Sequence, residues 1–264
     1  MTKRQHYRPV YAKTRWARWR YRLGWLLVLL VIIGSVWGGL AWLRWRSDAV
    51  VSGFNVRGVA VSQNDGYLDF AALQNDGLKF VYLHATQGAS YTDDNFASNY
   101  ERIVGTSLGV GVIHTFSFSS TAAAQAAYFE KTVGDSIGNL PIAIQVQYYG
   151  DYTDQTIAVR KSRAKLKALV TTLTQDYNRS CVVWSTPAVA KQIVKPALKD
   201  TDLWLDTAKT HQQGRRVMFM HYSDRAVYRQ NGTRQEFAGI LFNGSVTAYN
   251  KVVAQGLNSG LILE

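Results

Sequence analysis

Hydrolytic chemistry needs ionisable or nucleophilic side chains at the ends of apolar segments, and this chain offers few of them. Asp65 lies just past the apolar run Val56–Val61, and Asp206 ends Leu203-Trp204-Leu205-Asp206. Two carboxylates facing each other would suffice for general acid–base work, so these two are candidates for a catalytic pair. Asp65-Gly66 is equally a turn dipeptide, and Asp206 equally a cap or loop residue. His84, His114 and His221 each end a further run. Three histidines raise the question of zinc, but they sit on separate elements without i, i+4 spacing, so neither a metal nor another cofactor is expected. Ser62, Ser185 and Ser223 show no nucleophile-elbow pattern. The single cysteine, Cys181, excludes an intrachain disulfide and a thiolate metal cluster.

The remaining chemistry is neutral. Gln87, Gln145 and Gln147 carry amides that accept and donate hydrogen bonds but deliver no proton at neutral pH. Tyr82, Tyr148, Tyr149, Trp204 and Tyr222 fall on or just after the ends of apolar runs. Their rings could stack on a ligand, or could be ordinary core and rim packing.

The elements that would position these groups are legible from periodicity. Short apolar runs at 56–61, 78–84, 108–115, 141–147, 181–184, 202–205 and 217–222 read as strands. Amphipathic stretches at 69–76, 95–104, 121–133, 155–177 and 187–194 separate them and read as helices. Strands alternating with helices over some 200 residues imply a parallel sheet closed into a β/α barrel, in which chemistry sits at the C-terminal strand ends.

Charge and hydropathy divide the chain. Net charge is +12, but the first 46 residues hold ten Lys and Arg and no acid, leaving 20 basic against 18 acidic side chains in residues 47–264. The body therefore lacks the basic stripe that a phosphate backbone requires, and nucleic acid is not an expected partner. Gly24–Leu43 is an uncharged run of 20 residues with Trp25 at one end and Trp42 and Trp45 at the other. That length spans a bilayer's hydrocarbon core, and the basic excess before it places the N-terminus in the cytoplasm. No A-x-A cleavage site follows. The expected organisation is a cytoplasmic basic tail (1–23), a transmembrane helix (24–43), a linker (44–55) and an extracellular domain (56–264) on a single-pass membrane protein.

Read in order, Gly58-Val59-Ala60-Val61-Ser62, Leu83-His84-Ala85-Thr86-Gln87-Gly88, Asp93-Asp94-Asn95-Phe96, Val112-Ile113-His114-Thr115-Phe116 and Leu140-Pro141-Ile142-Ala143-Ile144-Gln145-Val146-Gln147 resemble the glycoside hydrolase family 25 muramidases, from about residue 56 to 250. The resemblance implies an α/β fold, a TIM-like barrel with a glycan groove at its top, and peptidoglycan or a related wall glycan as ligand. It also implies carboxylates at positions held here by Ala60, Gln145, Gln147 and Thr247, and a histidine on the groove floor at His114. With those acids missing, the expectation is a muramidase-like domain that binds wall glycan or scaffolds envelope proteins without cutting. The ligand-binding candidates are Gln145, Gln147, His114, Tyr82, Tyr148, Tyr149, Trp204, Tyr222, His84 and Gln87. The alternative is an active N-acetylmuramidase with its acids relocated to Asp65 and Asp206.

Overall fold

A computed structural model of the protein describes residues 12–51, 53–207 and 214–260. Positions 1–11 of the expected basic tail and position 52 of the expected linker lie outside the described residues. The chain divides into two compact units, Met1–Gly53 and Phe54–Glu264.

The first unit is one helix, α1 (Ala12–Val51), of 40 residues. At 1.5 Å per residue it is about 60 Å long. It takes in the predicted 24–43 span and continues to Val51, where the sequence predicts a linker from residue 44. Neither Gly nor Pro occurs between Leu40 and Val51, so nothing interrupts the i→i−4 ladder there. Its window Arg22–Gly39 has a mean hydropathy of 1.8 and no buried side chain, and is long and apolar enough to cross a membrane.

The second unit is a closed barrel. Its strands are β1 (Arg57–Val61), β2 (Phe80–Gln87), β3 (Tyr91–Thr92), β4 (Gly109–Thr115), β5 (Ile142–Gln145), β6 (Cys181–Ser185), β7 (Asp202–Asp206), β8 (Val217–Gln230) and β9 (Thr233–Phe242). Around the ring the order is β1-β2-β4-β5-β6-β7-β8-β9 and back to β1, with the two-residue β3 added at the rim of β2. All neighbours run parallel except β9, which is antiparallel to both β8 and β1. The connections carry α2 (Phe70–Asn75), α3 (Phe96–Ile103), α4 (Ala122–Val133) and α5 (Val159–Asp176). After β6, α6 (Pro187–Val189) passes through a π turn into α7 (Lys195–Ala197), and α8 (Val246–Gly260) follows β9. Local signals set these boundaries: the Thr121 side chain caps α4 by accepting from Ala124 N at 3.2 Å, and Gly134, at φ 50°, ends it.

Aromatic rings fill the barrel interior. Phe80, Tyr82, Trp204 and Phe219 are fully buried, with Trp184 stacked on Trp204 at 4.4 Å and 6°. Glycines on neighbouring strands make room for them. Gly58 pairs with Phe80 and Gly111 with Tyr82, and a Cβ on either glycine would run into the partner's ring. At the N-terminal end of the strands α8 closes the barrel floor: Tyr249 packs into the core cluster and its hydroxyl donates to Lys79 O at 3.2 Å. Buried Arg179 ties the same end together by donating to the carbonyls of Gly138, Leu140 and Gly256.

Candidate functional site

At the C-terminal ends of β1, β2, β4 and β5 the mouth of the barrel opens into a cleft of about 330 Å³. Its walls are Ser62, Gln63 and Asn64 after β1, His84, Thr86 and Gln87 of β2, Tyr91 and Asp93 at β3, Thr115 of β4, and Gln145 and Gln147 at β5.

The loop after β1 is built from its own side chains. Ser62 Oγ accepts from Asn64 N at 3.3 Å, and Asp65 Oδ2 accepts from Ser62 N at 2.7 Å, which closes a reciprocal cap over the short helical turn Gln63–Asp65. Asp65 is therefore turned back on its own loop and does not line the cleft. Burial raises its pKa from the ordinary value, with the Ser62 hydrogen bonds opposing the shift.

A second loop is stapled to the first. Asp93, 5% exposed, accepts from Gln63 N at 2.8 Å and from Asn95 N at 3.0 Å, so both its oxygens are engaged. Gln63 Oε1 accepts from Asp94 N at 2.9 Å, and Asn95 Nδ2 donates to Gln63 O at 3.3 Å. Burial pushes the Asp93 carboxyl up, its two N–H donors pull it back, and Asp94 and Asp65 add a smaller upward push. On the opposite wall Thr115 Oγ donates to Gln145 Oε1 at 3.0 Å, and Gln147 is exposed to the cleft. His84 stands at the cleft base beside Trp184, 6.1 Å between ring centroids, and burial lowers its imidazole to about 4. That shift favours the neutral imidazole, which carries one N–H donor and one acceptor nitrogen.

Cutting a glycosidic bond requires one carboxylic acid to protonate the leaving oxygen and a second carboxylate about 5–10 Å away. Among the described residues Asp93 is the one carboxyl in the cleft wall, and its oxygens hold two backbone N–H groups. The rest of the lining is amide, hydroxyl, imidazole and phenol. Such a surface offers paired hydrogen-bond donors and acceptors to a neutral polar ligand.

The glycosyl hydrolases family 25 profile matches residues 59–230. The chain belongs to this family. It is 26% identical over 204 residues to the autolytic lysozyme of Clostridium acetobutylicum, a match covering 72% of this chain and 59% of that protein. Lysozyme M1 of Streptomyces globisporus is 32% identical over 80 residues, 30% of this chain and 27% of the relative. The chain thus spans less than two thirds of the length of these curated relatives. Among solved structures, a family 25 glycosyl hydrolase from Bacillus anthracis superposes with a TM-score of 0.70 at 24% identity, covering 75% of this chain and 93% of the other.

Within this family 25 domain the expected acid positions resolve as follows. Ala60 is buried in the barrel core, 3% exposed, beneath the mouth. Gln145 and Gln147 both reach the cleft, as do His84 and Gln87. Thr247 is a correction: Val246–Tyr249 begins α8, and the last strand is β9, ending at Phe242.

Three binding candidates lie buried and outside the cleft lining. His114 faces away from the barrel interior, fully buried between Thr86 Oγ1 (2.8 Å from Nδ1) and Gln125 Oε1 (3.2 Å from Nε2), edge-on to Phe129 of α4. Burial lowers it to about 4, and it does not line the cleft. Tyr82 is fully buried and donates its hydroxyl to Pro141 O at 3.1 Å. Trp204, also fully buried, lies under Trp184.

Tyr148 and Tyr149 join Phe118 and Tyr152 in an aromatic cluster beyond β5, outside the cleft lining. Phe118 stacks on Tyr148 at 6.1 Å, and Tyr149 Oη accepts from Phe118 N at 3.0 Å. Tyr222 is half-buried on β8, and a Cβ on Gly239 would meet its ring. Asp206 lies at the end of β7 with Oδ1 3.0 Å from His221 Nδ1, outside the cleft lining, and is not paired with Asp65. Cleft residues that are not among the expected binding residues are Ser62, Gln63, Asn64, Thr86, Tyr91, Asp93 and Thr115. The first three directly follow β1, which is the clue that strand-end reading offered.

Proposed function

We propose that this protein is a membrane-anchored, muramidase-like family 25 domain that binds peptidoglycan or a related wall glycan outside the cell without hydrolysing it. The observation that carries the reading is the pair Gln145 and Gln147 facing the cleft, where the family resemblance implies an acid pair. An amide in place of each acid removes proton delivery and full-charge stabilisation, worth about 10²–10⁴-fold for acid–base catalysis alone, and leaves hydrogen-bonding recognition in place. Asp65 and Asp206 do not compensate, since one is folded into its own loop and the other is bound to His221 outside the cleft lining. Membrane anchoring rests on the Arg22–Gly39 window and on the basic excess before it, which orients the domain outward.

The test uses the full chain in detergent micelles beside an active family 25 muramidase. The expected result is retention on isolated cell-wall sacculi with no release of soluble muropeptides above background. Release at a rate near that of the active enzyme, abolished by Asp206→Asn or Asp65→Asn, would overturn the silent reading. Failure to sediment with sacculi would overturn glycan binding.

A further inference from the structure

Of the three histidines on the barrel strands, two are held by hydrogen bonds. His114 is fastened between Thr86 Oγ1 and Gln125 Oε1, and His221 Nδ1 lies 3.0 Å from Asp206 Oδ1. His84 differs. Among the described residues none hydrogen-bonds to either of its ring nitrogens, and it lines the cleft of about 330 Å³. Packing holds the ring, with Trp184 at 6.1 Å between centroids.

Strand β2 aims this side chain at the cleft. Phe80 and Tyr82 point into the barrel core, and period-two alternation carries His84 to the same face. The β2–β4 register then shifts between His84 and Thr86. Ala85 is the extra residue, and its carbonyl accepts from Asp93 N at 2.9 Å. Residues three apart on a regular strand face opposite ways, yet His84 and Gln87 both line the cleft. Bulges re-aim side chains in this manner beside binding sites.

The charge of the lining points to the kind of ligand. Among the described residues the cleft wall holds one carboxyl, Asp93, and no Lys or Arg. Burial lowers His84 to about 4, which favours the uncharged imidazole. A ligand carboxylate entering the cleft would therefore leave water to meet another carboxylate and no cation, which is costly. The neutral imidazole offers one N–H donor and one acceptor nitrogen, and a secondary amide presents the complement, one carbonyl acceptor and one N–H donor. Gln145, whose Oε1 accepts from Thr115 Oγ1 at 3.0 Å, keeps its NH₂ for a ligand, and the amides of Gln87 and Gln147 are exposed.

We propose that His84 sets the charge specificity of the cleft, which admits an uncharged N-acetylated sugar and turns away one that carries a free carboxylate. This deepens, and rests on, the glycan-binding reading. In wall glycan the lactyl carboxylate of the muramic acid unit is capped as an amide wherever a stem peptide is attached, so the cleft distinguishes substituted strands from bare ones.

The experiment measures binding of three probes to the full chain in detergent micelles by calorimetry: a neutral tetramer of N-acetylglucosamine, the peptide-free wall disaccharide with its free lactyl carboxylate, and the same disaccharide with that carboxylate capped as a methylamide. Capping is expected to strengthen binding about tenfold, the effect of one unit charge several ångströms away in a partly hydrated cleft. His84→Lys should reverse the order of the two disaccharides, a change that damage to the fold would not produce. His84→Ala, which only removes the ring, should weaken the tetramer about fivefold, the size of one neutral hydrogen bond. Equal affinity of the wild-type chain for the two disaccharides, with the tetramer still bound, overturns the charge specificity and leaves the glycan reading standing. An unchanged order in His84→Lys, or an unchanged tetramer affinity in His84→Ala, overturns the role of His84. Binding of none of the three sugars by the wild-type chain overturns the glycan reading and this inference with it.

Discussion

The staple between the two cleft loops makes the substitution Asp93→Asn informative. Each Asp93 oxygen now accepts from a backbone N–H, of Gln63 at 2.8 Å and of Asn95 at 3.0 Å. An asparagine of the same shape keeps one acceptor and turns an NH₂ towards the other donor, leaving one buried N–H unpaired. That costs about 1–3 kcal/mol. For a domain of roughly 200 residues each kcal/mol moves Tm by about 2–4 °C, so the expected fall at pH 7 is about 2–12 °C, read by thermal unfolding of the full chain. The exposed neighbour in Asp94→Asn should move Tm by less than about 2 °C. The pH dependence has a definite sign. Because the folded protein raises the Asp93 pKa above its ordinary 3.8, the stability linked to its proton is complete below that value and is lost as pH rises through the higher folded value. The gap between wild type and Asp93→Asn should therefore widen as pH falls from 7 towards 3.8. A gap that narrows on acidification would refute the reasoning, since it would mean that the two N–H bonds outweigh burial and hold the carboxylate below its ordinary range.

Reinstating acids through Gln145→Asp with Gln147→Glu should lift muropeptide release from background by at least about 10²-fold. Sustained background with sacculus binding intact would show that more than the acid pair is missing. Trp204→Ala removes the buried partner of the Trp184 stack and should cost about 3–5 kcal/mol, seen as a fall in the denaturant midpoint. A loss under about 1 kcal/mol would mean that the barrel interior collapses around the gap.

Seven barrel strands were readable because each is a short apolar run bounded by polar or turn residues. The eighth, β9, escaped because its first half, Thr233-Arg234-Gln235-Glu236, is polar and leaves the barrel with β8 as a two-stranded ribbon. The signal lay in Asn231-Gly232, whose φ values of 50° and 81° make the tight turn joining the two strands. Missing β9 displaced the last acid position onto Thr247, although Tyr249, Val252, Val253 and Gly256 recur at helical spacing. The expectation of His114 on the groove floor took its neighbour's direction: in the strand Gly109–Thr115 it is Thr115 that lines the mouth. Period-two alternation gives direction but not depth, and for that reason Tyr82 and Trp204, both pointing inward, proved to lie below the cleft and not in it. The loop contacts of Asp93 with Gln63 join residues 30 apart and have no local pattern.

Because β9 descends while its neighbours ascend, the chain that leaves it enters α8 beneath the barrel, away from Gln145, Gln147 and His221. Lys251 is exposed on that helix. A dye or surface tether attached there would leave the mouth unobstructed, so occupancy of the cleft can be followed on immobilised molecules without the handle competing for the ligand.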